Sequence, residues 1–170
     1  MSDFEGSSGG DGAAHGLDCT LPNGGVGPDP FTLSEAEATL AVLFFHRDAL
    51  CGNCRRQAAR VARRYGSFRE RDVEVVSVLP ESRSRAVAWA QRRDAPHPVL
   101  ADADSAVADR YGQPTRLGAL GKRVDLLGRM PLVVLVGLRD EPRELWRYAG
   151  RSADDRPTVD EVLTEVAKFA

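Results

Sequence analysis

Blocks of continuous apolar residues alternate along the chain with stretches of helical period. Leu40-Ala-Val-Leu-Phe-Phe-His46 is an unbroken apolar run, which predicts a strand buried on both faces. From Cys51 to Tyr65 the period changes. Cys54, Ala58, Val61, Ala62 and Tyr65 fall on one helical face, and Arg55, Arg56, Arg60, Arg63 and Arg64 take the rest. Val73 to Leu79 predicts a second buried strand, Arg83 to Arg93 a helix with Val87 and Ala90 inward, and Val99 to Ala101 a short strand. Asp104 or Ser105 is placed to cap a helix running to Tyr111.

The second half reads in the same way. Gly112 to Gly128 carries four glycines and a proline and is expected to be a long loop with at most one helical turn. Leu132 to Val136 and Glu144 to Ala149 predict an antiparallel hairpin across the break at Arg139-Asp-Glu-Pro142. Thr158, with Glu161 three residues on, forms a capping box for a last helix to Phe169, with Val159, Val162, Leu163 and Val166 inward. Strand–helix alternation closed by a hairpin and a helix predicts an α/β sheet with helices on both faces.

Composition narrows the choice of function. The 170 residues fit one domain, and a chain of this length buries a core without a disulfide scaffold. Eight of the sixteen glycines lie in the first 27 residues, so residues 1–16 are expected to form a flexible tail ahead of a domain over 17–170. No apolar run approaches a membrane span, and no secretory signal is read at the N-terminus, so a cytoplasmic protein is expected. A formal charge of -2 argues against nucleic acid as the main partner.

Three cysteines are too few for a secreted scaffold, but two of them form Cys51-Gly-Asn-Cys54 between a buried strand and a helix. Unpaired N–H groups and the positive end of the helix dipole stabilise a thiolate there. Lowering a thiol pKa from about 8.5 to about 7 raises the ionised fraction at neutral pH from about 3% to about half. Arg47, Arg55 and Arg56 act in the same sense. Residues three apart on a helix are neighbours, so the two sulfurs can close and reopen a disulfide. Two other uses of the pair remain open at this point: zinc ligation, for which Cys19, His15, His46 and His97 give no second pair of ligand spacing, and an inert core pair. Cys19, in a β-like segment, reads as core, and His46 as a hydrogen-bonded structural histidine.

The chain resembles the peroxiredoxin-like (AhpC/TSA, redoxin) branch of the thioredoxin superfamily, from about Leu17 to Phe169. Leu17-Asp-Cys-Thr-Leu-Pro-Asn23 with Phe31-Thr-Leu-Ser-Glu35 is similar to the family's opening hairpin. Val42 to Cys54 is similar to the strand and active helix of its CxxC-bearing members, and Val75 to Pro80, Pro98 to Asp102 and Tyr111-Gly112 follow its rhythm. The resemblance implies a thioredoxin-like three-layer α/β/α domain with a mixed central sheet. It implies a thiol-dependent oxidoreductase acting on a protein disulfide or hydroperoxide, with no cofactor and no metal, restored by a thioredoxin- or glutaredoxin-like dithiol donor. The oligomeric state stays open, a homodimer included.

By the same resemblance, Arg129 stands where peroxiredoxins place an arginine beside the reactive thiolate, and Pro131 where thioredoxin-like folds place a cis-proline. The peroxiredoxin motif PxxxTxxC is not kept: Arg47 stands at its Pro, Cys51 at its Thr and Cys54 at its peroxidatic cysteine. Thioredoxin logic instead makes Cys51 the exposed nucleophile and Cys54 the buried resolver, and the helical stripe through Cys54 favours that assignment. A different class of reading, a redoxin-fold binding or redox-sensing module without turnover, fits the same residues.

Overall fold

The computed structural model describes residues 16–115 and 128–170; the expected tail and most of the glycine-rich loop lie outside the described residues. In chain order the elements are β1 (Thr20–Leu21), β2 (Phe31–Thr32), a 3-10 turn (Leu33–Glu35), β3 (Leu40–Phe45), α1 (Gly52–Arg63), α2 (Tyr65–Arg69) and β4 (Val73–Leu79). They continue with α3 (Arg83–Arg92), β5 (Val99–Ala101), α4 (Ala106–Arg110), β6 (Leu132–Gly137), β7 (Arg143–Ala149) and α5 (Val159–Ala167). The main sheet has the order β5-β4-β3-β6-β7, with β3, β4 and β5 parallel and β6 and β7 antiparallel to their neighbours. β1 and β2 form the small opening hairpin.

The two faces of β3 show why its sequence is continuously apolar. Ala41, Leu43 and Phe45 point into one core, with Val76, Val78, Leu132 and Val134 from the flanking strands and Leu33, Val107 and Tyr111 from above. Leu40, Val42 and Phe44 point into the other, against Val61 of α1, Phe68 of α2 and Val162, Leu163 and Val166 of α5. Successive side chains of a strand alternate faces, so a strand covered on both sides is apolar at every position. The result is the expected three-layer α/β/α arrangement with a mixed sheet.

Several local expectations shift. The helix read from Cys51 to Tyr65 begins at Gly52 and breaks at Arg64 (φ -109°, ψ 12°), so Tyr65 belongs to the short α2. On α3 the buried residues are Ala86, Trp89 and Ala90, which puts Trp89 in the core. Ser105 sits before α4 with φ 59° and makes no cap with its side chain. Asp104, the other expected cap, accepts the Ala106 N–H (3.0 Å), and the buried carboxylate of Asp102 accepts the next two, from Val107 (3.2 Å) and Ala108 (2.9 Å). The Thr158–Glu161 capping box of α5 forms as read, with reciprocal bonds of 3.1 and 2.8 Å.

Candidate active site

β3 delivers the chain to the site and stops at Phe45. Residues 46–51 then turn through a loop held by two carboxylates. Asp48, buried, accepts from the Leu50 N–H (2.8 Å) and from Arg47 Nε (2.8 Å), and Glu81 accepts from the Ala49 N–H (3.1 Å). The loop ends with Cys51 as the N-cap of α1. Its Sγ accepts the Cys54 N–H at 3.1 Å, taking the place of the usual Ser or Asp oxygen.

Cys51 and Cys54 are joined in a disulfide, with Cα atoms 5.2 Å apart. The spacing expectation is met, and the sulfurs are bonded to each other. Both residues are buried: Cys54 is 0% exposed and Cys51 only 2%, so Cys51 is less open than the sequence suggested. Leu50, immediately before it, is 77% exposed and marks the outer rim of the site.

The polar environment of the sulfurs comes from an unexpected place. The Arg47 N–H points at Cys54 Sγ (3.4 Å). Arg156, from the segment between β7 and α5, brings Nη2 to 3.2 Å from Cys54 Sγ and 3.7 Å from Cys51 Sγ. Its Nη1 donates to Gln57 Oε1 (2.7 Å) and its Nε to the Ala153 carbonyl (2.9 Å). Burial, followed by the like charges of Arg47 and Arg56, lowers its pKa to about 10, so the guanidinium stays charged at neutral pH. The segment that carries it is fixed by Asp155, which accepts from Tyr148 Oη (2.5 Å) and the Arg151 N–H (2.8 Å). The sequence held one usable signal: a charged loop leading into the capping box of the helix that packs beside α1.

Arg129 and Pro131 take other places than expected. The buried Arg129 pairs with Asp109 (3.2 Å) and donates to Gln113 Oε1 (3.4 Å). Gln113 in turn donates to the carbonyls of Met130 (3.0 Å) and His46 (3.5 Å). Arg129 thus braces the end of β3 through Gln113, while Arg156 is the guanidinium in contact with the sulfurs. Among the described residues the cis peptide bond is Asp29–Pro30; the bond before Pro131 is not cis, which corrects the expectation there. Pro131 instead accepts the Gly150 N–H on its carbonyl (2.8 Å), at the start of the segment that carries Arg156.

His46 is wholly buried, shares a hydrogen bond of 3.0 Å with Ser77 Oγ, and stacks obliquely on Trp89 at 5.4 Å. Burial, then the nearby cations, push its pKa down to about 3, so it is neutral. Cys19 is a buried free thiol in the core under the opening hairpin, and burial raises its pKa to about 12. The half-buried Trp146 and Tyr148 pack against the core on the α1–α5 side.

A mixed thioredoxin-like sheet with a Cys-x-x-Cys disulfide at the mouth of its first long helix defines a thiol–disulfide redox protein. The chain belongs to the AhpC/TSA family, whose model matches residues 14–127. Solved structures agree on the fold. Peroxidoxin BcpB from Mycobacterium tuberculosis superposes with a TM-score of 0.71 at 22% identity, covering 90% of this chain and 94% of that one. Peroxiredoxin Q of Xanthomonas campestris gives 0.72 at 15% identity over 94% of each chain. AhpC of Mycobacterium tuberculosis gives 0.64 at 21% identity over 82% and 74%. No curated protein matches the sequence. Family and disulfide together make this a thiol-dependent oxidoreductase with Cys51 and Cys54 as its dithiol–disulfide centre. No helix among the described residues is long and apolar enough to cross a membrane.

Proposed function

We propose that the protein is a hydroperoxide reductase in which Cys51 is the nucleophile and Cys54 the resolving thiol. The observation that carries this reading is the unequal setting of the two sulfurs. Cys51 Sγ is the helix N-cap, where the Cys54 N–H and the positive end of α1 stabilise an anion, and it is the less buried of the two. Cys54 Sγ has no exposure at all, and an unaided buried thiol has a raised pKa. The Arg47 N–H and the Arg156 guanidinium offset that penalty and hold the leaving thiolate.

The cycle balances in three steps. The Cys51 thiolate attacks the distal oxygen of the hydroperoxide, the O–O bond breaks, and Cys51 becomes a sulfenic acid while an alcohol or water leaves. The Cys54 thiolate attacks the sulfenic sulfur, forming the disulfide and releasing hydroxide, which takes a proton to give water. An external thioredoxin- or glutaredoxin-like dithiol then reduces the disulfide by exchange. In this reading Arg129 and Pro131 are positioning residues: Arg129 steadies the strand end through Gln113, and Pro131 anchors the loop that carries Arg156. The alkyl peroxide reduction named for the bacterioferritin comigratory protein of Xanthomonas campestris, which matches with a TM-score of 0.69 at 16% identity, is consistent with this substrate class.

The test is a pair of serine variants assayed with hydrogen peroxide, an organic hydroperoxide and an insulin disulfide. Cys51→Ser is expected to abolish both sulfenic acid formation and turnover. Cys54→Ser is expected to form the sulfenic acid once, trappable with dimedone, and then stop. A dimedone adduct in Cys51→Ser would reverse the two roles. Unchanged rates in both variants would remove the cysteines from the reaction.

A further inference from the structure

A cavity of about 670 Å³ opens beside the disulfide, between α1 and the segment leading into α5. It is within the range of small-molecule sites. Asn53, which lies between the two cysteines in the chain, lines it together with Gln57 and Arg156, and Arg156 connects it to the disulfide through Nη2, 3.2 Å from Cys54 Sγ. Its walls carry five arginines against two aspartates, and the aspartates are already engaged: Asp160 with Arg64 (2.9 Å) and Asp154 with Ser152 Oγ (2.7 Å). Arg60 and Arg63 face it from the exposed side of α1.

Two features at the inner end lack their natural complement. Every described partner of the Arg156 guanidinium is electrically neutral: the Gln57 amide oxygen, the Ala153 carbonyl and two disulfide sulfurs. Gln57 is 7% exposed, and its Nε2, whose orientation is set by the Arg156 bond to Oε1, has no hydrogen-bond acceptor. A half-buried cation without an anion and a buried donor without an acceptor side by side both call for a carboxylate. This deficit belongs to the oxidised state, because reduction would place a thiolate against Arg156.

We infer that this cavity binds a small carboxylate-bearing thiol, which reduces the Cys51–Cys54 disulfide as a second route beside a dithiol protein. The inference rests on the redox reading of the cysteines given above. The carboxylate lies on Arg156 and Gln57, with Arg60 and Arg63 attracting the anion at the entrance. The ligand's thiolate attacks Cys51 Sγ, forming a mixed disulfide and breaking the bond to Cys54. The released Cys54 thiolate takes over Arg156. A second thiol attacks the mixed disulfide at the ligand's sulfur, giving a disulfide of two ligand molecules and the Cys51 thiolate. Two thiols are oxidised, the protein gains two electrons, and the protons follow the thiolates.

The experiment compares glutathione with its diethyl ester as reductants of the oxidised full-length protein. Rates are expressed per thiolate and normalised to a small linear disulfide. Glutathione is expected to act about tenfold faster than the ester and to saturate, and S-methylglutathione, which has the carboxylates but no thiol, is expected to inhibit. Gln57→Glu, which supplies the carboxylate internally, should reduce the acid-to-ester ratio to near one. The surface pair Arg60→Gln with Arg63→Gln should raise the glutathione concentration for half-saturation several-fold. Equal normalised rates for acid and ester in the wild type overturn the site. Dithiothreitol separates this failure from that of the parent reading: if it reduces the disulfide and restores peroxide turnover, only the cavity assignment falls. If it reduces the disulfide without restoring turnover, the peroxidase reading falls as well.

Discussion

The guanidinium of Arg156 lies against both sulfurs, and its effect on them is measurable. In the reduced protein it should stabilise the Cys54 thiolate, whose burial otherwise opposes ionisation. Arg156→Met is expected to raise the thiol pKa followed by thiolate absorbance by about one unit, equivalent to about 1.4 kcal/mol. The same variant should slow disulfide closure after peroxide attack more than it slows the attack. An unchanged titration in a folded variant would place the guanidinium outside the ionisation equilibrium. Cys19 makes the opposite case: a thiol pushed to about 12 and sealed in the core is unreactive at neutral pH. Iodoacetamide should leave it unmodified in the native oxidised protein and alkylate it only in denaturant, as read by peptide mass.

At the level of elements, the segment between β7 and α5 has to be placed accurately for Arg156 to reach the sulfurs. Gly150 begins it in a space with no room for a side chain: a Cβ there would lie 2.5 Å from the Asp155 carbonyl oxygen and 2.7 Å from Pro131 Cγ. Gly150→Ala is therefore expected to cost about 1–3 kcal/mol in urea unfolding and to reduce peroxide turnover along with it. Thr158→Ala, which removes one half of the capping box, should cost about 1 kcal/mol while leaving thiol ionisation unchanged. Equal losses of turnover in the two variants would mean that the loop does not position Arg156.

These elements also show what could be read from the chain. β3 and β6 were legible because a strand covered on both faces leaves no polar position to confuse the pattern, and β4 because four valines and a leucine outweigh Glu74 and Ser77. The α5 cap was legible because Thr158 and Glu161 satisfy each other locally. Arg156 was not, since one arginine among many on a surface loop becomes special only when the fold carries it to residues about a hundred positions away. Gln57 was hidden for a related reason: a polar residue at a helical position reads as solvent-facing until its Oε1 turns out to accept from Arg156 Nη1. Asp104 and Ser105 were the caps offered for α4; Asp104 takes the first N–H, while Asp102 reaches past Ser105 from the end of β5 to take the next two.

Over the whole molecule, the buried histidines couple stability to pH. His46 is neutral in the folded protein with a pKa near 3, whereas an unfolded histidine takes up a proton near 6.5. Between these values the unfolded chain binds the additional proton, so stability falls as pH falls, and it is fully present above about 6.5. From about pH 7.5 to about pH 5 the expected loss due to His46 is about 2 kcal/mol. His97, likewise lowered by burial, acts in the same direction. Urea titrations at both pH values check this, with His46→Gln expected to remove most of the His46 share. A pH response identical in variant and wild type would assign it elsewhere.

The two margins of the sheet bear on how copies of the protein meet. Beyond β5 the chain covers its own margin: Gly24 N–H bonds the Val99 carbonyl (2.8 Å), Ala101 N–H bonds the Pro22 carbonyl (2.9 Å), and Asn23 bridges to Leu100. At the other margin β7 carries Arg143, Glu144 and Arg147 and a register shift opposite Leu135 and Val136, and Arg147 is tied across to the Tyr111 carbonyl (2.7 Å). Charge and irregularity on one side, and self-pairing on the other, leave little bare ladder for a second chain to extend. Molecules crowded together should therefore touch through side chains rather than fuse strand to strand, and a catalyst that handles oxidants keeps its sheet out of fibrous assemblies.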